Sequence, residues 1–181
     1  MIYGLFFIKN ASKYGILKVI YGIYGGTTMY FVDRSKIEHI LKHIDVLQQT
    51  FKNNRFTNPV EQLGLERLTH ILIESIIDVG NMMIDGFIMR DPGSYEDIID
   101  ILVDEKVLPN QDEAAYKALI NLRTNLVRDY TAIDHKVLVE TLSTYQATLN
   151  QFTRHVTKYL DHELGVANAF SNEPDARGES K

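Results

Sequence analysis

Between Asn58 and Ile84 the chain carries a segment too apolar to present one ordinary solvent face. Leu63, Leu65, Leu68, Ile71, Leu72, Ile73, Ile76, Ile77, Val79, Met82 and Met83 fall at nearly every angle around a helix. Asn58-Pro59 opens it as cap and first helical position, because the N–H that proline lacks would be unpaired there anyway. A helix apolar nearly all round must be wrapped by others, so this stretch belongs at the centre of a bundle.

The flanking segments supply the wrapping. Behind an Asp33 cap, Ile37, Ile40, Leu41, Ile44 and Leu47 make one stripe, closed by the polar loop Lys52-Asn53-Asn54-Arg55. After the break Arg90-Asp91-Pro92-Gly93-Ser94, Ser94 caps a short helix carrying Ile98, Ile99, Ile101 and Leu102. Pro109-Asn110 starts another, with Ala115, Leu119, Leu122 and Leu126 inward. A last helix opens near Asp134, and its Leu138, Leu142, Tyr145, Leu149, Phe152, Val156 and Tyr159 alternate by four and three; Gly165 is its stop signal. Strand patterns and long repeats are missing. The expected fold is all-α, an antiparallel bundle of four long helices plus one short one.

A length of 181 residues suits a single domain. We expect residues 29–168 to form it, 169–181 to be a disordered polar tail, and 1–28 to be an extension outside it. On one reading Met29 is the true start; on the other the extension is an amphipathic or hairpin-like segment that touches a membrane or partner. No apolar run there reaches the ~20 residues of a spanning helix, so no membrane span is expected. The absence of cysteine fits a reducing cytoplasm.

The second helix has ordered exceptions to its apolarity. Arg67, Glu74, Asp78, Asn81 and Asp85 are spaced by seven, four, three and four, so they share one face. Unpartnered buried carboxylates cost several kcal/mol each, so this polar groove must meet cations, a watery cleft or a subunit interface, or else be the helix's outer face. Partners are at hand in Leu122-Arg123-Thr124-Asn125-Leu126-Val127-Arg128-Asp129-Tyr130, read as one helical stretch. Its two guanidinium groups are fork-shaped phosphate ligands, and Arg123 and Arg128 are also the natural counterions of the stripe. With a formal net charge of -5, no global field attracts nucleic acid, so any phosphate surface is local. Between Asp91 and Glu113 eight carboxylates face Lys106 alone, a solvated face or a dock for a basic partner.

The helix Arg67-Leu68-Thr69-His70-Ile71-Leu72-Ile73-Glu74-Ser75-Ile76-Ile77-Asp78-Val79-Gly80-Asn81, followed by Arg123…Arg128-Asp129-Tyr130, resembles the HepT-like family of HEPN-fold proteins. Gly86-Phe87-Ile88-Met89-Arg90-Asp91-Pro92-Gly93-Ser94-Tyr95 is similar to its YutE-like branch. The resemblance covers roughly Met29 to Gly165. It implies an all-helical homodimer related to the ribonuclease toxins of toxin–antitoxin pairs, with RNA as substrate, no metal and no cofactor. The family motif is an arginine, four residues, a histidine, one residue and a tyrosine. The antitoxin it implies is a small nucleotidyltransferase that adenylylates the tyrosine.

Carried over, Arg123 takes the arginine position and Tyr130 the tyrosine position, which makes Tyr130 the expected modification site. Arg128 stands where the histidine belongs. A guanidinium holds phosphate but cannot shuttle protons, so cutting is expected to be attenuated. His135, separated from Arg128 by six residues, is the alternative proton carrier, although Asp134 as a helix cap would put it on another element. Two other readings stand beside the toxin. One is a catalytically silent HEPN module that binds RNA, a nucleotide or a nucleotidyltransferase; the other is a structural dimer with an interfacial stripe. His39 and His43 have a zinc-compatible spacing but no third ligand, so both read as surface residues.

Overall fold

The computed structural model describes the backbone of residues 32–171, with side chains through residue 163. The expected extension at 1–28, and the tail beyond residue 171, lie outside the described residues. Within them the protein is all-helical. Helix α1 spans Arg34–Asn53, α2 Pro59–Gly86 and α3 Tyr95–Asp104; a 3₁₀ turn at Asn110–Asp112 leads into α4 at Glu113–Val127, then α5 at His135–Leu149 and α6 at Phe152–Ser171.

Local chemistry explains the starts. Asp33 Oδ1 accepts from the Lys36 N–H at 3.0 Å and Ser94 Oγ from the Asp97 N–H at 3.1 Å. Asn58 and Glu61 form a reciprocal capping box, each side chain accepting from the other's backbone N–H at 3.0 and 3.2 Å.

Helix α2 packs against α1, α3, α4 and α5, while α6 covers α1. Leu65, Leu68, Leu72, Ile73, Ile76, Ile77, Val79, Met83 and Ile84 bury the central helix, each side chain contributing about 1.5–3 kcal/mol. The apolar girdle is incomplete near its start: Leu63 is 63% exposed. At Gly80 the side chains of α3 press so close to α2 that an added Cβ would lie 2.5 Å from Ile98 Cγ2.

The expected last helix is two helices. Its buried seam persists through Leu138, Leu142, Leu149, Phe152, Val156 and Leu160, yet the backbone breaks at Asn150-Gln151. No proline or glycine marks the place. The carbonyls freed there are taken by side chains of other helices. Buried Gln48 of α1 donates to Leu149 O at 2.9 Å, and Tyr116 of α4 donates to Thr148 O at 3.2 Å. Thr148 O also accepts from the Gln151 N–H at 2.9 Å. Gly165 does not stop α6, which runs through it and makes 169–171 helical rather than tail. A mid-helix glycine costs only about 1 kcal/mol, an amount that neighbouring helix formers can offset.

Candidate functional site

Arg123 lies on the flank of α4, beside the inward Leu119, Leu122 and Leu126, and keeps 26% of its side chain exposed. Its Nε donates to Glu74 Oε1 at 2.7 Å, which joins α4 to the middle of α2. The guanidinium carbon sits 4.3 Å above the Tyr95 ring centroid. A cation over an aromatic face in a half-desolvated place is attracted by about 1 kcal/mol. Only one of the five guanidinium N–H groups is thereby used. Both Nη groups lack a partner among the described residues and remain free for an anion.

Tyr95 is the first residue of α3, positioned by the loop before it. Arg90 grips both Asp97 oxygens, at 2.9 and 2.6 Å, and the Gly93 N–H donates to the same carboxylate at 2.7 Å. The Arg90 guanidinium and then the Gly93 amide hold the Asp97 carboxyl down at about 2. Just upstream, Ile88 occupies the left-handed position (φ 52°) that closes α2, and the Met89 N–H donates back to Ile84 O at 2.9 Å.

Glu74 Oε1 also faces His70 Nε2, one turn earlier on α2, at 3.5 Å. Two turns before Glu74, Glu66 Oε1 meets His135 Nε2 at 2.6 Å. The two anchors are eight residues apart, roughly 12 Å along the helix axis. Within one chain, therefore, Arg123 and His135 occupy separate clusters.

The other expected site residues are placed differently from the sequence reading. The motif does not stay on one helix: α4 ends at Val127, and Arg128, Asp129 and Tyr130 lie in the connection to α5. Nothing apolar in Arg128-Asp129-Tyr130-Thr131 would anchor a further turn, and Asp134 starts the return helix by accepting from the Lys136 N–H at 2.9 Å. Arg128 caps α4 through its N–H to Thr124 O at 2.8 Å, and its exposed side chain makes no ion pair among the described residues. Tyr130 is 67% exposed. His135, the first residue of α5, is bonded to Glu66.

Nor does the five-residue groove close. Of Arg67, Glu74, Asp78, Asn81 and Asp85, only Glu74 finds a cation among the described residues. Arg67, Asp78 and Asp85 are exposed and Asn81 half-buried, so water does for them what Arg128 was expected to do. Loss of surrounding water, then repulsion from Glu74, raises the Asp78 carboxyl, against attraction from Lys36. Loss of water, followed by Asp91, raises Asp85.

Three residues of the assembled site, His70, Tyr95 and Glu66, carried no sequence assignment. Glu66, His70 and Glu74 recur every four residues, a spacing that could have shown a shared face. Tyr95 gave no such signal, because its contact with Arg123 is made across two helices.

The family profile described as "Ribonuclease HepT-like" matches residues 37–156. A Bacillus subtilis (strain 168) protein named "Putative RNase YutE" is 46% identical over 143 residues, spanning 78% of this chain and 99% of its own length. The solved structure described as "Structure of Cytosolic Protein of Unknown Function YutE from Bacillus subtilis" superposes with a TM-score of 0.74 at 46% identity. That match covers 76% of this chain and 96% of the other.

Proposed function

This chain belongs to the HepT-like ribonuclease family, and from that premise we propose that it is a metal-independent, HEPN-type ribonuclease of the toxin type, attenuated by Arg128. The observation that carries the reading is how Arg123 is presented. A carboxylate and an aromatic ring fix its Nε edge and one face, while neither Nη group has a partner among the described residues. That is the geometry for bidentate capture of a phosphodiester. Arg128, just past the end of the same helix, adds a second cation with no internal partner among the described residues. Cutting also needs a group that gives and takes a proton, and a guanidinium does neither.

Further support comes from exposure. Tyr130, in the connection after α4, is open to modification by a nucleotidyltransferase antitoxin. Leu63, Val127, Tyr130 and Val137 are exposed where α2 begins, α4 stops and α5 starts, which suits a homodimer interface. A cytosolic location follows the description of the YutE relative.

The test is cleavage of a labelled single-stranded RNA by the purified chain. Slow cleavage by the wild type should vanish in Arg123→Ala. Arg128→His, which restores the motif's proton carrier, should accelerate it by about 10²–10⁴-fold. Failure of both wild type and Arg128→His to cut would exclude the ribonuclease reading and leave a silent module that binds RNA, a nucleotide or a nucleotidyltransferase.

A further inference from the structure

Arg128 leaves the proposed cleavage without a proton carrier at the motif position, so the six imidazoles of the chain are the groups to compare. His39, His43 and His162 are exposed, and among the described residues the last faces only Glu163. His155 on α6 faces Asp112 at 3.4 Å. His135 is bonded to Glu66, about 12 Å along α2 from the Arg123 anchor. His70 differs from all of these. Its Nε2 lies 3.5 Å from the same Glu74 oxygen that binds Arg123 Nε at 2.7 Å, so imidazole and guanidinium approach one atom.

The surroundings suit proton transfer. His70 keeps 31% of its side chain exposed, within reach of substrate and water. Its Nδ1 has no partner among the described residues. Glu74 orients the ring and offsets the positive charge it acquires, the third-member role of a nucleophile–base–orienter arrangement. Apo contacts of this kind are often longer than hydrogen bonds and tighten around substrate. A phosphate held by the Nη groups of Arg123 would lie beside the Glu74 oxygen that His70 also faces.

We propose that His70 is the proton acceptor for RNA cleavage here, in place of the absent motif histidine; the proposal rests on the ribonuclease reading above. The 2′-oxygen forms a bond to phosphorus while its proton passes to a neutral His70 ring nitrogen. The bond from phosphorus to the 5′-oxygen breaks, and that oxygen takes a proton from water. The products are a 2′,3′-cyclic phosphate and a 5′-hydroxyl. The imidazolium then returns its proton to the hydroxide left behind.

The experiment follows kcat and KM for a fluorescent RNA oligonucleotide across pH 4.5–9 with the full chain. An acceptor must be neutral, so the wild-type rate should have an acid limb, falling as pH drops. His70→Gln should lower kcat about a hundredfold, leave KM within about twofold, and remove that limb. Added imidazole should restore part of the rate of His70→Ala, a rescue that a merely structural role would not give. His162→Gln should behave as wild type. Circular dichroism melts establish that the variants fold; were both His70 variants unfolded, absence of the limb in the wild type would still overturn the proposal. Retention of rate and limb in His70→Gln, or loss of the limb in His135→Gln instead, would overturn it and leave the ribonuclease reading standing. Absence of any Arg123-dependent cleavage by the wild type would overturn both.

Discussion

Glu74 shows how much one carboxylate oxygen can organise. It holds Arg123 at 2.7 Å and faces His70 at 3.5 Å, while Asp78, one turn on, faces mainly water. Glu74→Lys would put a second cation against Arg123 and strand it. We expect a loss of about 1–2 kcal/mol, or roughly 3–6 °C in Tm, readable by a thermal melt. An unchanged Tm would mean that the pair contributes nothing to the fold. Asp97 allows a pH test. Its carboxyl is held at about 2 in the folded chain, below its unfolded value near ~4. Its stabilising contribution is therefore complete above the unfolded value and fades as pH falls through the folded one. The Tm gap between wild type and Asp97→Asn should be present at pH 5 and narrow steadily as pH falls towards 2. Seven-and-four spacing placed Glu74 and Asp78 on one face, but could not say which meets an arginine, because that depends on where α4 crosses.

Helix starts were legible because each is local chemistry: Asp33, Asn58, Ser94 and Asp134 accept backbone N–H groups within three residues of themselves. Helix ends were less so. Gly165 reads as a stop and is passed through, whereas Asn150-Gln151 carries no breaker and ends α5. The difference lies in Gln48 and Tyr116, whose donors replace backbone N–H groups at Leu149 and Thr148. A side chain a hundred residues away leaves no trace in local periodicity. Packing between elements also sets the role of Gly80, where α2 lies against α3. Gly80→Ala would gain helix propensity if local rules governed. Its Cβ would instead collide with Ile98, and we expect a net loss of about 1–3 kcal/mol in denaturant unfolding.

At the scale of the whole molecule, the apolar α2 required a bundle around it, and α1, α3, α4 and α5 supply one. Exposed Leu63 interrupts that logic. With Val127, Tyr130 and Val137 it places apolar surface at one end of the bundle, where the proposed dimer would form. Leu63→Glu should therefore shift the chain from dimer to monomer in light scattering at micromolar concentration. A monomeric wild type would remove that assignment. By itself the sequence determined the all-helical class, the central helix, the caps and the residue types able to hold phosphate, since periodicity, capping and charge act over a few residues. Only the tertiary structure decided that Arg123 meets Glu74 and Tyr95, that Arg128 and Tyr130 leave the helix, that His135 goes to Glu66, and that the last helix breaks. Each of these outcomes depends on groups distant in the chain competing for the same hydrogen-bond partner or the same space, and only their relative positions in the fold say which of them wins.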